Sequence, residues 1–325
     1  MLAAALLTTA QAAPPARVDC IVPSKPGGAM DLTCKLAQKG LLALPADSPA
    51  PMRISYLPGG IGAVAWHSLV SQRRAEPDTL VAFSGGSLLN LAQGKFGPAT
   101  SADVRWVAAL GADYGMIAVR ADSAMRNLAD LVAALRRHPE QVLIGVSGTI
   151  GSQDWLKMAL VAKQAGIDPK VLRFVALEGG GEAFTAMQAG HVQVVSGDAS
   201  EASLNVPAAS IRVLAVLSEQ RLPGALAAVP TAREQGVDVV WPIIRGLWMG
   251  PQVADADYAR WVATFDRMLA TPRFADIRAA YGLYPLGPSG AGMIGSRLTG
   301  SRLTDYVKQA VTDYGKRAGE LGLMR

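Results

Sequence analysis

Short loops rich in glycine, serine and threonine follow one apolar run after another along the chain. Glycine lets a backbone approach a ligand closely, hydroxyl side chains donate hydrogen bonds, and helix N-termini after such loops add free N–H groups and a favourable dipole. The loops of this kind lie at 24–28, 58–62, 84–87, 147–152, 178–181 and 197–201. Donors of these types suit a carboxylate, so we expect the loops to form one small-anion site.

The candidate ligand-binding residues come from these loops, the start of the first helix and one arginine. They are Lys25, Gly27, Gly28, Ala29, Met30, Asp31, Ser84, Gly85, Ser87, Ser147, Thr149, Ser152, Gly180, Asp198 and Arg245. The fork of Arg245 matches a carboxylate, so this residue either clamps the ligand or braces a crossing between two domains. Asp31 either braces the first loop or contacts the ligand. Two further acids, Glu178 and Glu201, are expected near the cleft.

Nucleotide binding and catalysis are not indicated. The chain has no Gly-Lys-Ser/Thr phosphate loop, and the GGIG at 59–62 is only a fragment of a dinucleotide motif. His67, His138 and His191 all lie outside the glycine loops, and there is no G-x-S-x-G nucleophile elbow. Two cysteines and three scattered histidines provide no metal-ligand spacing. We therefore expect a binding protein without cofactor or metal, with a hydrolase as the alternative.

The composition is that of a packed globular protein with one large domain or two. Half of the 325 residues are apolar and 18% are charged. The net charge of +5 comes without a long basic run, and few aromatic residues are available to stack on bases, so nucleic-acid binding is not expected. Residues 1–12 end in Ala-Gln-Ala and have an apolar centre too short to span a membrane, which predicts a cleaved signal peptide and a periplasmic location.

The two cysteines of the chain, Cys20 and Cys34, flank the first glycine loop. In an oxidising compartment, such an isolated pair predicts a disulfide that ties the first strand to the first helix. Two buried free thiols are the alternative.

Apolar runs and helical patterns alternate, which predicts an α/β fold with a mostly parallel sheet covered by helices on both faces. Strands are predicted at 20–23, 52–56, 79–83, 106–110, 116–119, 142–146, 172–176, 192–196 and 213–217. Helices are predicted at 31–44, 61–73, 128–138, 155–165, 182–189, 255–269, 273–281 and 303–321. The pattern restarts near residue 121 and changes again near 245. We therefore expect one lobe from 13–120 and 246–325, a second from 121–245, and a ligand cleft between them.

Several segments, in chain order, carry a family resemblance. They are PGGAMD at 26–31, YLPGG at 56–60, EGGGEA at 178–183, GHVQV at 190–194, RLP at 221–223 with VPTAREQG at 229–236, and WPIIRG at 241–246. Together they resemble motifs of the Bug/TctC family, the periplasmic substrate-binding proteins of tripartite tricarboxylate transport systems. The resemblance covers nearly the whole mature chain, which makes it more specific than any single motif.

The resemblance implies a type II periplasmic-binding-protein fold, with two doubly wound lobes that close on a ligand without catalysis. Loop N–H groups and hydroxyls would hold the carboxylate, partly through ordered water. The cysteine pair is similar to that of the TctC branch, which implies citrate or a related tricarboxylate. The expected partners of the monomer are the ligand and the membrane subunits of a transporter. The alternative partner is a two-component sensor kinase.

The chain departs from the family pattern at the first two loops. Ala29 stands where the family usually has a third glycine, so the backbone there must suit an alanine. Tyr56 and Leu57 stand where an asparagine or a similar residue is expected. Lys25 either places a cation at the cleft mouth, which would favour a more highly charged anion, or points to solvent.

Overall fold

The computed structural model describes residues 18–45, 51–286 and 297–323; the predicted signal peptide lies outside them. The strands are β1 (Asp19–Val22), β2 (Arg53–Tyr56), β3 (Thr79–Ser84), β4 (Arg105–Arg120), β5 (Leu143–Ser147), β6 (Arg173–Leu177), β7 (Val194–Asp198), β8 (Ile211–Leu217) and β9 (Pro242–Met249). The helices are α1 (Ala29–Leu42), α2 (Ala63–His67), α3 (Gly85–Ala92), α4 (Leu128–Arg137), α5 (Gln153–Gln164), α6 (Gly180–Gln188), α7 (Ala199–Asn205), α8 (Asp255–Leu269), α9 (Pro272–Ala280) and α10 (Gly300–Gly319).

The strands follow the order β2-β1-β3-β9-β4-β7-β5-β6, and β8 also pairs with β4. Strands β1, β2 and β3 are parallel to one another, as are β5, β6 and β7. The sheet is nevertheless mixed rather than mostly parallel, because β4 and β9 run antiparallel to their neighbours. The first lobe consists of β1, β2, β3, β9 and the start of β4, and the second of β5 to β8 with the end of β4.

Strand β4 corrects the prediction of two separate strands at 106–110 and 116–119. It is one strand of 16 residues that belongs to both lobes. Its first part, as far as Tyr114, pairs with β9, and from Gly115 onward it pairs with β7 and β8. Different partner strands satisfy the backbone hydrogen bonds of the two parts. The glycines and the aspartate in the middle of β4 therefore do not interrupt the strand.

Strand β9 was not predicted, although all but its first residue are buried. Its sequence, PIIRGLWM, contains a proline, an arginine and a glycine, which weaken a local strand signal. Pairing with β3 on one side and β4 on the other holds it in the sheet.

The helical prediction at 61–73 was wrong in detail. A 3₁₀ turn at Gly60–Gly62 precedes α2, and a π turn at Ser68–Gln72 follows it. Ile61 and Gly62 have φ values of 58° and 95°, which a right-handed helix cannot accommodate. Helices α3 and α7 were also missed, and both begin with a reciprocal capping box directly after a strand.

The predicted disulfide is present. Cys20 on β1 and Cys34 on α1 are bonded, with their Cα atoms 5.8 Å apart, and both are fully buried. The bridge joins the strand before the first glycine loop to the helix after it. In the described ranges, no helix combines the length and apolar character required to cross a membrane.

Candidate functional site

A cavity of about 240 Å³ lies between the lobes. Most of the predicted ligand-binding residues line it: Gly28, Ala29, Met30, Ser84, Ser87, Ser147, Thr149, Ser152, Gly180, Asp198 and Arg245. Apart from Arg245, which lies within β9, they lie at or just after the carboxyl ends of β1 and β3 in one lobe, and of β5, β6 and β7 in the other. The topology therefore brings together loops that lie far apart in the sequence.

Helix N-termini converge on this cavity from both lobes. The residues that immediately precede α1, α3, α5, α6 and α7 all line it, namely Gly28, Ser84, Ser152, Gly179 and Asp198. A helix N-terminus carries the positive end of the helix dipole and N–H groups without partners in the helix. Several of them around one cavity create a surface suited to an anion.

The predicted residues that do not line the cavity have other partners. Lys25 forms an ion pair of 3.1 Å with Glu182 across the cleft mouth, so it does not simply point to solvent. Gly27 packs against α6, where a Cβ at Gly181 would lie 2.7 Å from the Gly27 backbone. Gly85 packs against α10, and a Cβ there would overlap the Tyr314 hydroxyl.

Asp31 also lies outside the cavity lining, and its contacts are those of a brace. Its carboxylate accepts the Gly27 N–H at 2.8 Å, Lys35 Nζ at 2.7 Å and the Tyr56 hydroxyl at 3.0 Å. Asp31 is fully buried. These bonds fix the first glycine loop against α1 and β2. Tyr56, which departs from the family pattern, takes part in this bracing.

Ala29 is accommodated because it is the first helical residue of α1. The preceding Gly28 has φ −92° and ψ 177°, an extended conformation, so the turn completes before Ala29 is reached. The Ala29 N–H donates to Glu201 Oε1 at 2.7 Å, across the cleft. One donor of the predicted anion site is thus in contact with a carboxyl group of the protein itself.

Some predicted hydroxyl donors also cap helices. Ser84 Oγ accepts the Gly86 N–H at 3.1 Å and Ser152 Oγ accepts the Trp155 N–H at 3.3 Å. Ser87 Oγ accepts the Ser84 N–H at 3.3 Å, which completes a capping box at α3. Each of the three serine oxygens therefore accepts a backbone N–H, and its hydroxyl hydrogen remains available to another acceptor.

Ile61 lines the cavity, and its own backbone conformation is strained. Its φ of 58° is an outlier for a β-branched residue. Asn90 Nδ2 donates to the Ile61 carbonyl at 3.1 Å and so holds this conformation in place. On the facing lobe, a Cβ at Gly148 would lie 3.3 Å from the Ile61 side chain. Strain of this kind concentrates at ligand-binding loops.

A buried charge cluster forms the cavity floor. Arg245 donates to Asp113 Oδ2 at 2.9 Å and also to Asp198. Lys157 Nζ lies 2.7 Å from Asp154 and 2.7 Å from Asp198. Asp198 thus joins the two cations, and Arg245 braces the crossing strands while also facing the cavity.

The cluster determines the charge of its members. Burial works against ionisation of Asp198, yet Lys157 and Arg245 together hold the pKa of that carboxyl below its usual range. Burial works against the charged form of Arg245 too, but Asp198 and Asp113 raise the pKa of the guanidinium. For Glu201 the balance is reversed, because burial and then the negative charges of Asp198 and Asp154 raise its pKa to about 8.

Sequence reasoning missed Asp113, Asp154 and Lys157, and placed Glu201 near the cleft without assigning it a role. One signal was available. Lys157 is the single charge in the apolar run at 155–162, and a lone charge on a buried helix face needs a buried partner. Which acid supplies that partner depends on tertiary packing.

Solved structures share this fold over nearly the whole chain. MatC from Rhodopseudomonas palustris, solved with bound malate, superposes with a TM-score of 0.76 at 20% identity, covering 93% of this chain and 99% of MatC. The periplasmic binding protein BugD superposes with a TM-score of 0.80 at 17% identity, covering 95% of this chain and 98% of BugD. Rpa4515 from R. palustris, solved with adipate, superposes with a TM-score of 0.80 at 19% identity, covering 95% of this chain and 98% of Rpa4515. The predicted two-lobed periplasmic-binding-protein fold is confirmed.

A curated relative and a family model also match. The UPF0065 protein from the tcbD-tcbE intergenic region of Pseudomonas sp. (strain P51) is 26% identical over 215 residues, 66% of this chain. The match spans 61% of that relative's length. The model described as "Tripartite tricarboxylate transporter family receptor" matches residues 91–293, more than half of the chain. The protein belongs to this family of receptors.

Proposed function

We propose that the protein is a periplasmic receptor that captures a small carboxylate and releases it to a membrane partner, without chemical conversion. The observation that supports this most directly is the convergence of helix N-termini from both lobes on one cavity. Fixed backbone dipoles stabilise a bound anion without a mobile counter-charge. Membership of the receptor family supports the same function.

The ligand we propose is a di- or tricarboxylate, with citrate as the first candidate. A cavity of about 240 Å³ is smaller than those that hold drug-sized molecules, which favours a compact ligand. Two relatives of the same fold were solved with malate and with adipate, both of which are dicarboxylates. The resemblance of the Cys20–Cys34 pair to the TctC branch favours a tricarboxylate.

Capture is proposed to occur by closure of two lobes, 13–120 with 246–325 and 121–245. Strand β4 passes from the first lobe into the second, and the chain returns to the first lobe at the start of β9; this arrangement supports a hinge at these two crossings. In the closed arrangement, the loop N–H groups at Gly28 and Gly180 would face the ligand from opposite sides. Arg245, fixed by Asp113, would present its remaining donors from the floor.

Isothermal titration calorimetry of the purified mature protein tests the proposal. Citrate, isocitrate, tricarballylate, malate, adipate, succinate and glutamate would be titrated separately, with the trimethyl ester of citrate as an uncharged control. We expect at least one carboxylate to bind with a dissociation constant in the micromolar range or below and the ester not to bind. If no carboxylate binds, the proposed ligand class is wrong.

We propose that the protein is exported by means of the signal peptide at 1–12 and that it delivers its ligand to a pair of transporter membrane subunits. Fractionation of cells that produce the full chain should place a shortened protein in the periplasm. Uptake of the identified ligand should stop when the gene is deleted and return when it is restored. Unchanged uptake, with loss of a ligand-dependent transcriptional response instead, would indicate a sensor kinase as the partner.

A further inference from the structure

Glu201 holds a carboxyl group at the meeting point of both lobes. It lies in the first turn of α7, yet its Oε1 accepts the N–H of Ala29, at the start of α1, at 2.7 Å. Its Oε2 accepts the Asp198 N–H at 3.2 Å. The side chain lines the cavity and is 4% exposed. A ligand on the cavity floor would therefore meet this carboxyl group beside the N-terminus of α1.

Glycines create the space that the Glu201 carboxyl group occupies. A Cβ at Gly180 would overlap both of its oxygens. A Cβ at Gly28 would lie 3.5 Å from Oε1, and one at Gly197 would lie 3.3 Å from Oε2. Glycine at these three positions therefore leaves room for the carboxyl group beside the backbone.

The buried acids near Glu201 each have a cationic partner. Asp198 contacts Arg245 and Lys157, and Asp154 contacts Lys157 at 2.7 Å. Asp113, behind Arg245, lies 2.9 Å from that guanidinium. The two cations are shared among these three carboxylates. They hold the pKa of Asp198 below its usual range, whereas burial outweighs them and raises the pKa of Asp113 and of Asp154.

The acids on the other helices that meet at Glu201 are also paired. Asp31 on α1 lies 2.7 Å from Lys35, and Glu182 on α6 lies 3.1 Å from Lys25. Within the described residues, no cation lies within ion-pair distance of Glu201 itself. Its contacts are two backbone N–H groups, and the nearest charged groups are mostly carboxylates.

We propose that Glu201 is a specificity-determining residue, which donates a hydrogen bond from its neutral carboxyl group to an oxygen of the bound carboxylate. An ionised Glu201 would repel such a ligand, whereas the neutral acid offers one O–H donor. Burial and the neighbouring acids raise the pKa of Glu201 to about 8, so the neutral form predominates at pH 7. The residue thereby couples affinity to pH. This inference rests on the proposed function, because it concerns the same cavity.

Calorimetric titrations at pH 6, 7, 8 and 9 test the inference, using the tightest carboxylate found above, provided that its own groups are fully ionised throughout. Affinity of the natural protein should fall about tenfold between pH 7 and pH 9, as a group with a pKa near 8 loses the proton that binding requires. Binding at pH 9 should take up about one proton per ligand, measured in two buffers of different ionisation enthalpy, and binding at pH 6 should take up none.

The matched variant is Glu201→Gln, whose side-chain oxygen can still accept the Ala29 N–H and whose amide replaces the O–H donor without titrating, although the acceptor for the Asp198 N–H is lost. Its affinity should change less than twofold over the same pH range. The control is Glu182→Gln, an acid at the cleft mouth, which should retain the tenfold loss. Proton uptake is read from the natural protein, so the test stands even if the Glu201→Gln protein is unstable.

Two results would overturn the inference. The first is a pH-independent affinity of the natural protein, with no proton uptake at pH 9. The second is a Glu201→Gln protein whose affinity falls as steeply as that of the natural protein. Either would leave the proposed function intact. Absence of carboxylate binding at every pH would instead remove the proposed function, and this inference with it.

Discussion

Arg245 on β9 donates from Nε and Nη2 to a single oxygen of Asp113 on β4, at 3.2 and 2.9 Å. The two strands pair with each other where β4 leaves the first lobe, and both side chains are almost completely buried. The pair therefore braces the crossing and fixes the orientation in which the guanidinium faces the cavity. The same contact serves stability and site geometry.

Replacing Asp113 with alanine should lower the free energy of unfolding by about 3–5 kcal/mol. The reason is that removal of one partner leaves a buried charge with less compensation. Urea denaturation, followed by circular dichroism, measures this loss. As a control, Asp305→Asn at an exposed pair, 3.8 Å from Lys308, should change stability by less than about 1 kcal/mol. Equal effects of the two substitutions would show that the Asp113–Arg245 pair does not brace the fold.

Replacing Gly28 with leucine should abolish ligand binding and leave the fold intact. The Gly28 φ of −92° suits any residue, so the backbone is not strained by the change. A Cβ there would lie 3.3 Å from the Gly180 N of the facing lobe, and a longer side chain would block both closure and the cavity. Calorimetry and the melting temperature would be measured together. Gly28→Ala should weaken binding less than Gly28→Leu, and unchanged affinity in the leucine variant would contradict the assignment of this loop.

Loss of the Cys20–Cys34 disulfide should lower stability by about 3 kcal/mol. The bridge spans a sequence separation of 14, and closing a loop of that length restricts the unfolded chain by about this amount. Thermal unfolding with and without reductant measures the change, and the Cys20→Ala/Cys34→Ala double variant should not respond to reductant. A thiol assay on the unreduced, denatured protein that found two free thiols would contradict the presence of the bridge.

Replacing Lys25 with alanine should slow ligand association while changing stability by less than about 1 kcal/mol. The side chain is half exposed at the cleft mouth, where a positive charge attracts an incoming anion. Stopped-flow measurements at low salt should show a severalfold lower association rate, and the difference should disappear at high salt. Lys39→Ala, at an exposed position later in α1, is the control and should associate at the natural rate. A salt-independent difference would exclude electrostatic steering.

Much of the secondary structure follows from local pattern alone. The prediction of a helix at 255–269 matches α8 to the residue, because its apolar positions recur at helical spacing. The strand at 79–83 is one residue short of β3. Where the pattern failed, pairing partners decided the outcome. Strand β9 carries a proline, an arginine and a glycine, and only β3 and β4 on its two sides make it a strand.

The candidate site divides in the same way. Small residues after strands are visible in the sequence, and the parallel topology then requires their loops to share an edge, so most of the cavity lining could be predicted. Lys157 and Asp113 could not be assigned, because a side chain in a buried run has no visible partner until distant strands are placed beside it. Asp198 meets Arg245 across 47 positions of sequence and Lys157 across 41.

The α/β rhythm, the family and the donor loops can be read from residue types at short spacing, and the isolated cysteine pair predicts the disulfide in the same way. Which charges compensate one another becomes apparent only in the folded protein, where Glu201 lies beside Ala29, 172 positions away in sequence. The physical reason is that ionisation in a buried site depends on all charges and donors within a few ångströms. That set is assembled from both lobes, and the sequence order does not specify it.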